Sequence, residues 1–414
     1  MLVCSAISSK WSTMCASDEL YLQLLRVACA ELHARHRKEL QLDIFPGLSD
    51  WLANEENAVA LLRLATQIGL FGLLFSALER WLAPDLFTKI QQNYPQLALT
   101  KTSHFAMATF QKEELRQVLE HFEKKGIAII VLKGPLLAEE IYGDTFSRAC
   151  ADIDVLVTDD SFSEAREELL ALGYKESERL DEALNMDEYH HIVFYKDYES
   201  GFKTAIELHV RLRSNRFGGV SPSFQCLLEN TEICPSPFSH RRLLPHLLYG
   251  HFVLEIFKDG GSLKRLVDLE ALRLTLSPKG DAVRELCSQW GLTGALAYAE
   301  SLLLPIRQSL NEEKSETAEE ELLQLGRELN RKISPKELFG FSLNTSMRLL
   351  YGYYILGGSL MAFRYILWWA IFPPKAVMAR RLGLSSESFL VYLIYPFSPL
   401  ISLLYVLGIW RRTW

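Results

Sequence analysis

Acidic residues on two short strand-like segments form the pattern with the clearest chemical meaning in this sequence. Residues 151–157 read ADIDVLV, and residues 206–210 read IELHV. Polar and apolar residues alternate with the period of two that a half-buried β-strand requires. We therefore expect Asp152 and Asp154 on one face of the first strand and Glu207 on the matching face of the second. Three carboxylates on adjacent strands are suited to a pair of Mg²⁺ ions that carry a nucleoside triphosphate.

A glycine-containing turn precedes both segments. Residues 127–132 are wholly apolar and rich in β-branched side chains, which predicts a central strand covered on both faces. This strand ends at Lys133 and Gly134, and Pro135 then opens a helix. Free backbone N–H groups at such a helix start can bind a phosphate, glycine lets the phosphate approach, and Lys133 can neutralise it. A purely structural strand–glycine–helix turn is the open alternative.

Two further polar residues lie close to the carboxylates in the sequence. Arg148 stands four residues before Asp152, within reach of a phosphate held there, with a surface ion pair as the alternative. His209 shares the predicted face of Glu207, where it can orient an acceptor or hydrogen-bond a phosphate. Alternatively, His209 forms hydrogen bonds within the fold and has no catalytic role. Three other histidines are expected to hydrogen-bond within the fold: His190, His191 and His251.

Composition and charge limit the classes of partner. The formal net charge of −7 argues against a broad phosphate-binding surface, so no nucleic-acid partner is expected. The seven cysteines are scattered without CxxC or zinc-ligand spacing, which indicates reduced thiols in a cytoplasmic protein. The N-terminal sequence has no basic start followed by a long apolar run, so no signal peptide is predicted. Walker, GxSxG and HExxH motifs are absent from the sequence.

The predicted fold class is α+β, with a small mixed-sheet α/β core flanked by helical regions at both ends. A chain of 414 residues is expected to contain two or three structural units. The predicted divisions are an N-terminal helical region (1–125), the α/β core (126–236), a second helical region (237–345) and a hydrophobic helical tail (346–414). Within the core, further strands are predicted near 191–195 and 203–211, and a helix near 161–172.

The tail contains two long apolar runs, at residues 349–372 and 388–410. Both runs are long enough to span a bilayer. Arg364 interrupts the first run, and Pro396 and Pro399 break the second. Two spans would also place the basic clusters between and after the runs on opposite sides, against the positive-inside bias. Three alternatives stay open: helices packed on the protein, peripheral attachment at the cytoplasmic face of a membrane, and true spans.

The sequence resembles the nucleotidyltransferase superfamily of DNA polymerase β type, whose pattern is a glycine turn, an hDhDh strand and a third acidic residue on a later strand. It is more closely similar to a bacterial family of uncharacterised nucleotidyltransferases, from about Trp51 to Leu272. The segments that carry the similarity are VLKG at 131–134, Arg148, DIDVLV at 152–157, LGY at 172–174, ELH at 207–209, His251 and LKRLVD at 263–268.

Two positions depart from these patterns. Pro135 follows Gly134 where the superfamily usually has serine, which removes a hydroxyl from phosphate binding. Val210 follows the E-x-H strand where an aromatic residue is commoner.

The resemblance implies an enzyme that transfers an NMP from an NTP, taken to be ATP, to a hydroxyl acceptor and releases pyrophosphate. The implied cofactor is Mg²⁺, as two ions, with Mn²⁺ as a substitute. The acceptor would be a peptide, a glycan or a protein. The residues implied in catalysis and metal binding are Asp152, Asp154 and Glu207. Those implied in nucleotide or phosphate binding are Lys133, Gly134, Arg148 and His209.

Two other functions are compatible with the sequence. One is a non-catalytic module that binds a nucleotide or acts as an assembly factor at a membrane, which the hydrophobic tail supports and the intact acidic triad opposes. The other keeps the chemistry but makes a protein the acceptor, as in toxin-like nucleotidyl transfer. In each case we expect a cytoplasmic location, with contact to the inner face of the membrane through the tail.

Overall fold

The computed structural model is a mixed α/β fold in which a seven-stranded sheet lies among helices. This architecture confirms the predicted fold class. The residues that the structure describes are 16–37, 48–177, 191–199, 201–212, 222–234, 239–258, 263–309, 372, 378, 382 and 389–401.

Helices fill the described chain before the first strand. Their ends follow local signals: the Asn54 side chain accepts hydrogen bonds from the amides of Glu56 and Asn57, and Gly69 and Gly126 end helices in the left-handed conformation. The helices are α1 (Ala16–Arg37), α2 (Leu48–Ala53), α3 (Glu55–Ile68), α4 (Phe71–Trp81), α5 (Pro84–Asn93) and α6 (Leu97–Lys125).

The sheet is built between and after these helices. Its strands are β1 (Ile130–Lys133), β2 (Ile153–Leu156), β3 (Lys175–Glu176), β4 (His191–Asp197), β5 (Lys203–His209), β6 (Thr231–Cys234) and β7 (His240–Leu243), in the order β3-β4-β5-β2-β1-β7-β6. The β2–β5 and β1–β7 pairs are parallel, and the remaining neighbours are antiparallel.

Further helices connect the strands and follow the sheet. They are α7 (Pro135–Tyr142), α8 (Phe162–Ala171), α9 (Phe224–Glu229), α10 (Pro245–Lys258), α11 (Leu263–Leu276), α12 (Gly280–Gln289), α13 (Thr293–Ser309) and α14 (Phe389–Ile394), and a 3₁₀ turn follows at Tyr395–Phe397. As predicted, proline opens α7 directly after the glycine of the β1 turn.

Each face of the sheet has its own apolar core. On one face, Ile153, Val155 and Leu208 pack with side chains of α6 and α8 such as Phe122 and Leu169. On the other face, side chains of β1, β2 and β7 join a larger core with helices from both halves of the chain, α1–α5 and α10–α13. Because both faces are covered, the central strands β1 and β2 are buried along their full length.

Two sequence predictions differ from this sheet. β2 was predicted to be half-buried, but Asp154 has no exposed surface, because helices cover the polar face as well. The pattern beyond residue 237 predicted only helices, whereas β7 lies there and pairs with β1 and β6. The four-way division of the chain stays a prediction, and β7 lies beyond its boundary at residue 236.

The hydrophobic tail falls mainly outside the described residues. Of the run at 349–372 only residue 372 is described, and of the run at 388–410 only 389–401. Among the helices that the structure describes, none combines the length and apolar character needed to cross a bilayer.

Candidate active site

The three predicted carboxylates come together where β2 and β5 lie side by side. The strands run parallel, and their register places Asp154 opposite Glu207. Asp152 directly precedes β2. One carboxylate oxygen from each of the three residues lies within 4.8 Å of the others. The alternation seen in the sequence therefore produces a real cluster of acids at the polar face of the sheet.

Asp154 is the innermost of the three acids. Its Oδ1 lies 3.0 Å from Lys133 Nζ and accepts a hydrogen bond of 3.0 Å from His209 Nε2. Burial alone would raise the pKa of this carboxyl, but Lys133 and the hydrogen bond from His209 hold it well below its ordinary value. Oδ2 is buried and has no hydrogen-bond partner among the described residues. A charged carboxylate is thus kept with one oxygen unused.

The pKa of Asp152 is shifted in the direction opposite to that of Asp154. Burial raises its pKa to about 6, and the negative charges of Asp154 and Glu207 add to the rise. Lys133 and Arg265 oppose this shift without cancelling it. Full ionisation of the cluster therefore needs more positive charge than these side chains supply.

The residues present fit a divalent cation. The unused Asp154 oxygen is a buried acceptor that a cation would satisfy, and the same cation would relieve the repulsion that Asp152 experiences. Mg²⁺ and Mn²⁺ prefer carboxylate oxygens together with phosphate oxygens. Asp152, Asp154 and Glu207 would hold such an ion.

Lys133 and Gly134 occupy the turn between β1 and α7. The Lys133 ammonium is buried between Asp154 and Glu255, with Nζ 2.8 Å from Glu255 Oε2. Burial opposes the charge, but the two carboxylates more than compensate and raise the pKa of Lys133 above its ordinary value. Gly134 has φ 129° and ψ −165°, a region open almost solely to glycine. The turn therefore holds a permanent positive charge against the acids.

Arg148 lies apart from the carboxylate cluster. Its Nε and Nη2 bind the two oxygens of Asp268 at 2.6 and 3.0 Å, and the Tyr142 hydroxyl donates to the same carboxylate at 2.7 Å. Both partners of the ion pair are buried. The role of Arg148 in phosphate binding therefore stays a prediction, while its observed contact is structural.

A chain of ion pairs between buried or partly buried side chains nevertheless links Arg148 to the cluster. From Asp154 it passes through Lys133 to Glu255 on α10, then to Arg265 on α11 at 3.3 Å, then to Asp268 at 3.6 Å. These three helix residues were not assigned a role from the sequence. Arg265 and Asp268 lie in the LKRLVD segment that carries part of the family resemblance, whereas the only local signal for Glu255 was a charge within an apolar helix.

The glycine-turn, DxD and E-x-H segments all belong to a region with known relatives. The family described as uncharacterised nucleotidyltransferase matches residues 54–303, more than half of the chain. The chain belongs to this family. Among solved structures, the chain is similar to an antigenic nucleotidyltransferase-like protein from Paracoccidioides brasiliensis, with 13% identity and a TM-score of 0.33 over 51% of this chain and 95% of that chain. No curated protein matches the chain.

Family membership extends to every residue of the site. The region that matches the family model includes both the acidic cluster and the ion-pair chain through α10 and α11. The resemblance to the family noted in the sequence is thereby confirmed. The wider superfamily and a bacterial origin stay predictions.

Proposed function

We propose that the chain catalyses metal-dependent nucleotidyl transfer, moving an NMP from an NTP to a hydroxyl acceptor with release of pyrophosphate. One observation carries the proposal: Asp154 is fully buried, pairs with Lys133 through Oδ1, and has no partner for Oδ2 among the described residues, beside Asp152 and Glu207. A protein rarely retains a buried charged acceptor without a ligand for it.

Each side chain of the site has a distinct task in this proposal. Asp152, Asp154 and Glu207 would hold two Mg²⁺ or Mn²⁺ ions, and Glu207 would be a ligand of the ion that activates the acceptor hydroxyl. When bound, these ions neutralise the triphosphate and make the acceptor hydroxyl more acidic. In this structure His209 donates a hydrogen bond to Asp154 Oδ1, while Oδ2 has no hydrogen-bond partner among the described residues. Lys133 and the amides after Gly134 offset charge that develops on the leaving pyrophosphate.

The substrates follow from this chemistry. The donor is an NTP, for which ATP is our choice, and the acceptor is a hydroxyl of a peptide, a glycan or a protein. A cytoplasmic location, where NTPs and Mg²⁺ are abundant, belongs to the same proposal, as does peripheral contact of the tail with the inner face of a membrane.

One contact favours a second candidate function. The ion pair between Lys133 and Asp154 supplies a positive charge where a metal would otherwise be required. A protein that binds a nucleotide without transferring it could rely on this lysine. Such a protein would bind NTPs equally well with and without Mg²⁺.

The test is thermal unfolding of the full chain with each of the four NTPs, with and without Mg²⁺. A ligand at about 100 times its Kd adds roughly 2.7 kcal/mol to the free energy of unfolding, a readily measured rise in Tm. We expect one NTP to stabilise the wild type only with Mg²⁺. The same shift should be absent in Asp152→Asn and intact in Asp197→Asn, a matched change at an exposed carboxylate on β4.

Label transfer from the NTP that passes this test then separates the two candidates. With an α-labelled NTP and candidate acceptors, transferase activity appears as labelled acceptor in the wild type and not in Asp152→Asn. Stabilisation that is independent of Mg²⁺ and unchanged in Asp152→Asn would contradict metal-dependent transfer and favour the binding protein. Stabilisation by none of the NTPs would contradict both.

A further inference from the structure

A second group of metal-ligating side chains adjoins the acidic cluster. It consists of His191 on β4 with Glu207 and His209 on β5, and one ligand atom from each lies within 4.8 Å of the others. The antiparallel register of the two strands places His191 directly opposite His209. Their imidazole rings lie side by side, with centroids 4.8 Å apart. The sequence patterns assigned His191 only to hydrogen bonding within the fold.

The distances in this group resemble those between ligands of one metal ion. Nε2 of His209 lies 3.3 Å from Glu207 Oε2, and Nε2 of His191 lies 3.7 Å from the same oxygen. Ligand atoms that all stand about 2.1 Å from one ion are roughly 3.0–3.6 Å apart. To bind the ion, His209 Nε2 would give up the hydrogen bond that it donates to Asp154 Oδ1 at 3.0 Å in this structure, because a protonated nitrogen cannot be a ligand.

The chemistry of the ligands selects a class of metal. Imidazole nitrogen binds transition metals such as Mn²⁺, Co²⁺ or Zn²⁺ better than it binds Mg²⁺, which prefers oxygen. His191 keeps about a quarter of its side-chain surface exposed, at 26%, so an ion can reach the group from solvent. His209 is buried and Glu207 is partly exposed, which places the group at the rim of the acidic cluster.

We propose that His191, Glu207 and His209 form a transition-metal site distinct from the Asp152–Asp154 site, with Glu207 shared between the two cations. The protein then holds an unlike pair of ions: one bound only by oxygens, and one bound by two imidazoles and a carboxylate. The proposal deepens the proposed function, on which it rests for the position of Glu207 at the acceptor side. The histidine ligands make that cation a transition metal.

Binding of Mn²⁺ to the full chain without nucleotide tests the proposal. The chain is first freed of metals with a chelator, and free Mn²⁺ is then followed by electron paramagnetic resonance in a large excess of Mg²⁺. We expect the wild type to retain a Mn²⁺ ion that Mg²⁺ does not displace. Electron spin echo modulation should show directly bonded imidazole nitrogen on that ion.

His191→Gln is the diagnostic variant. Loss of an outer-shell partner lowers metal affinity by about 10- to 100-fold, so loss of a direct ligand should weaken Mn²⁺ binding at least about tenfold. His121→Gln is the matched control, because His121 also pairs with a glutamate, Glu168, on the far side of the sheet. That control should bind Mn²⁺ as tightly as the wild type.

The outcomes distinguish this site from the proposed transfer activity. If wild-type Mn²⁺ shows no nitrogen coupling, or if Mg²⁺ displaces it completely, the histidine site is contradicted whether or not the variants fold. Equal Mn²⁺ affinity in folded His191→Gln and wild type contradicts it as well. In either case Mg²⁺-dependent stabilisation by an NTP can persist, so the proposed function is judged separately.

Discussion

At the scale of single residues, the pairing of Lys133 with Asp154 is the strongest electrostatic constraint on the site. Both groups are buried, and removing one partner of a buried ion pair costs about 3–5 kcal/mol because the other is left uncompensated. We expect Lys133→Met to destabilise the protein by this amount. Adding Asp154→Asn to Lys133→Met should then cost little more, or even restore stability. Urea denaturation of the two single variants and the double variant measures the coupling.

The matched control for this cycle is Lys112 with Glu139, an ion pair of 2.7 Å at the surface. Its two side chains are partly exposed, so Lys112→Met and Glu139→Gln should couple by less than about 1 kcal/mol. The buried pair should couple by about 1–3 kcal/mol. Similar coupling in both cycles would show that Lys133 does not compensate the charge of Asp154.

Lys264, at the start of α11, connects stability to pH. Burial lowers its pKa to about 8 from 10.5, and the neighbouring Arg148 contributes to the fall. Between these two values the unfolded chain binds more protons at this residue than the folded chain does. The free energy of unfolding should therefore rise as pH increases from about 8 to about 10.5, and the gain should be lost as pH falls through 8.

Replacing this lysine with an uncharged side chain of similar length isolates its contribution. Lys264→Met should abolish the rise above pH 8 and stabilise the protein at pH 7 by about 1–3 kcal/mol, since one pKa unit corresponds to about 1.4 kcal/mol. Lys203→Met, at an exposed lysine on β5, is the control. Its free energy of unfolding should depend on pH as that of the wild type does. If the free energy of unfolding of Lys264→Met still rises above pH 8, the rise is due to another titratable group. Urea denaturation at pH 7 and pH 9.5 provides the comparison.

At the scale of elements, the β1–α7 turn depends on its glycine. Gly134 has a combination of φ and ψ that is high in energy for residues with a Cβ. Gly143, at the end of α7, is in the more accessible left-handed region, with φ 82°. An added Cβ at Gly134 would meet only ordinary contacts with Ile153 at 3.5 Å, so the cost is one of backbone conformation. Gly134→Ala should therefore destabilise the protein by at least about 2 kcal/mol.

Gly143→Ala is the natural comparison for this turn. It should cost about 1 kcal/mol and leave Mg²⁺-dependent stabilisation by the NTP unchanged, because Gly143 lies at the opposite end of α7 from the site. Gly134→Ala should also weaken that stabilisation, since it displaces the turn amides and Lys133. Urea denaturation and the NTP-dependent shift in Tm give both quantities. If the two substitutions change stability and the NTP-dependent shift in Tm equally, the β1–α7 turn has no special role in NTP binding.

Elements with a local sequence signal were predictable, and those that depend on distant partners were not. An apolar run, glycine and proline predicted β1 and α7, and strand alternation predicted the placement of Asp152, Asp154 and Glu207. The segments of β6 (TEIC) and β7 (HRRL) carry no apolar stripe, and they are strands because they pair with each other and with β1. Glu255 likewise meets the turn lysine only through the fold, since Lys133 is 122 residues away in the sequence.

At the scale of the whole molecule, one core joins parts of the chain that are far apart in sequence. Helix α1 contributes side chains such as Leu32, the sheet contributes Ile130 and Leu156, and α11 contributes Leu269 to the same cluster. The ion-pair chain from Asp154 to Asp268 crosses the same boundary between sheet and helices. Packing and charge therefore both make the site depend on the C-terminal helices.

This dependence predicts how the molecule unfolds. A fragment of residues 126–236 contains Asp152, Asp154 and Glu207 but lacks β7, so β1 loses a neighbour and β6 loses its partner. Both sheet faces also lose covering helices, α6 on one face and α10–α13 on the other. We expect the fragment to show no cooperative unfolding, because the apolar surface that it exposes is not compensated. A fragment of residues 16–309 retains both cores and should unfold in one cooperative transition, as should the full chain. Urea denaturation followed by circular dichroism and by tyrosine fluorescence makes the comparison, since residues 126–236 contain tyrosine but no tryptophan. A cooperative transition in 126–236 would show instead that the α/β core is an independent domain.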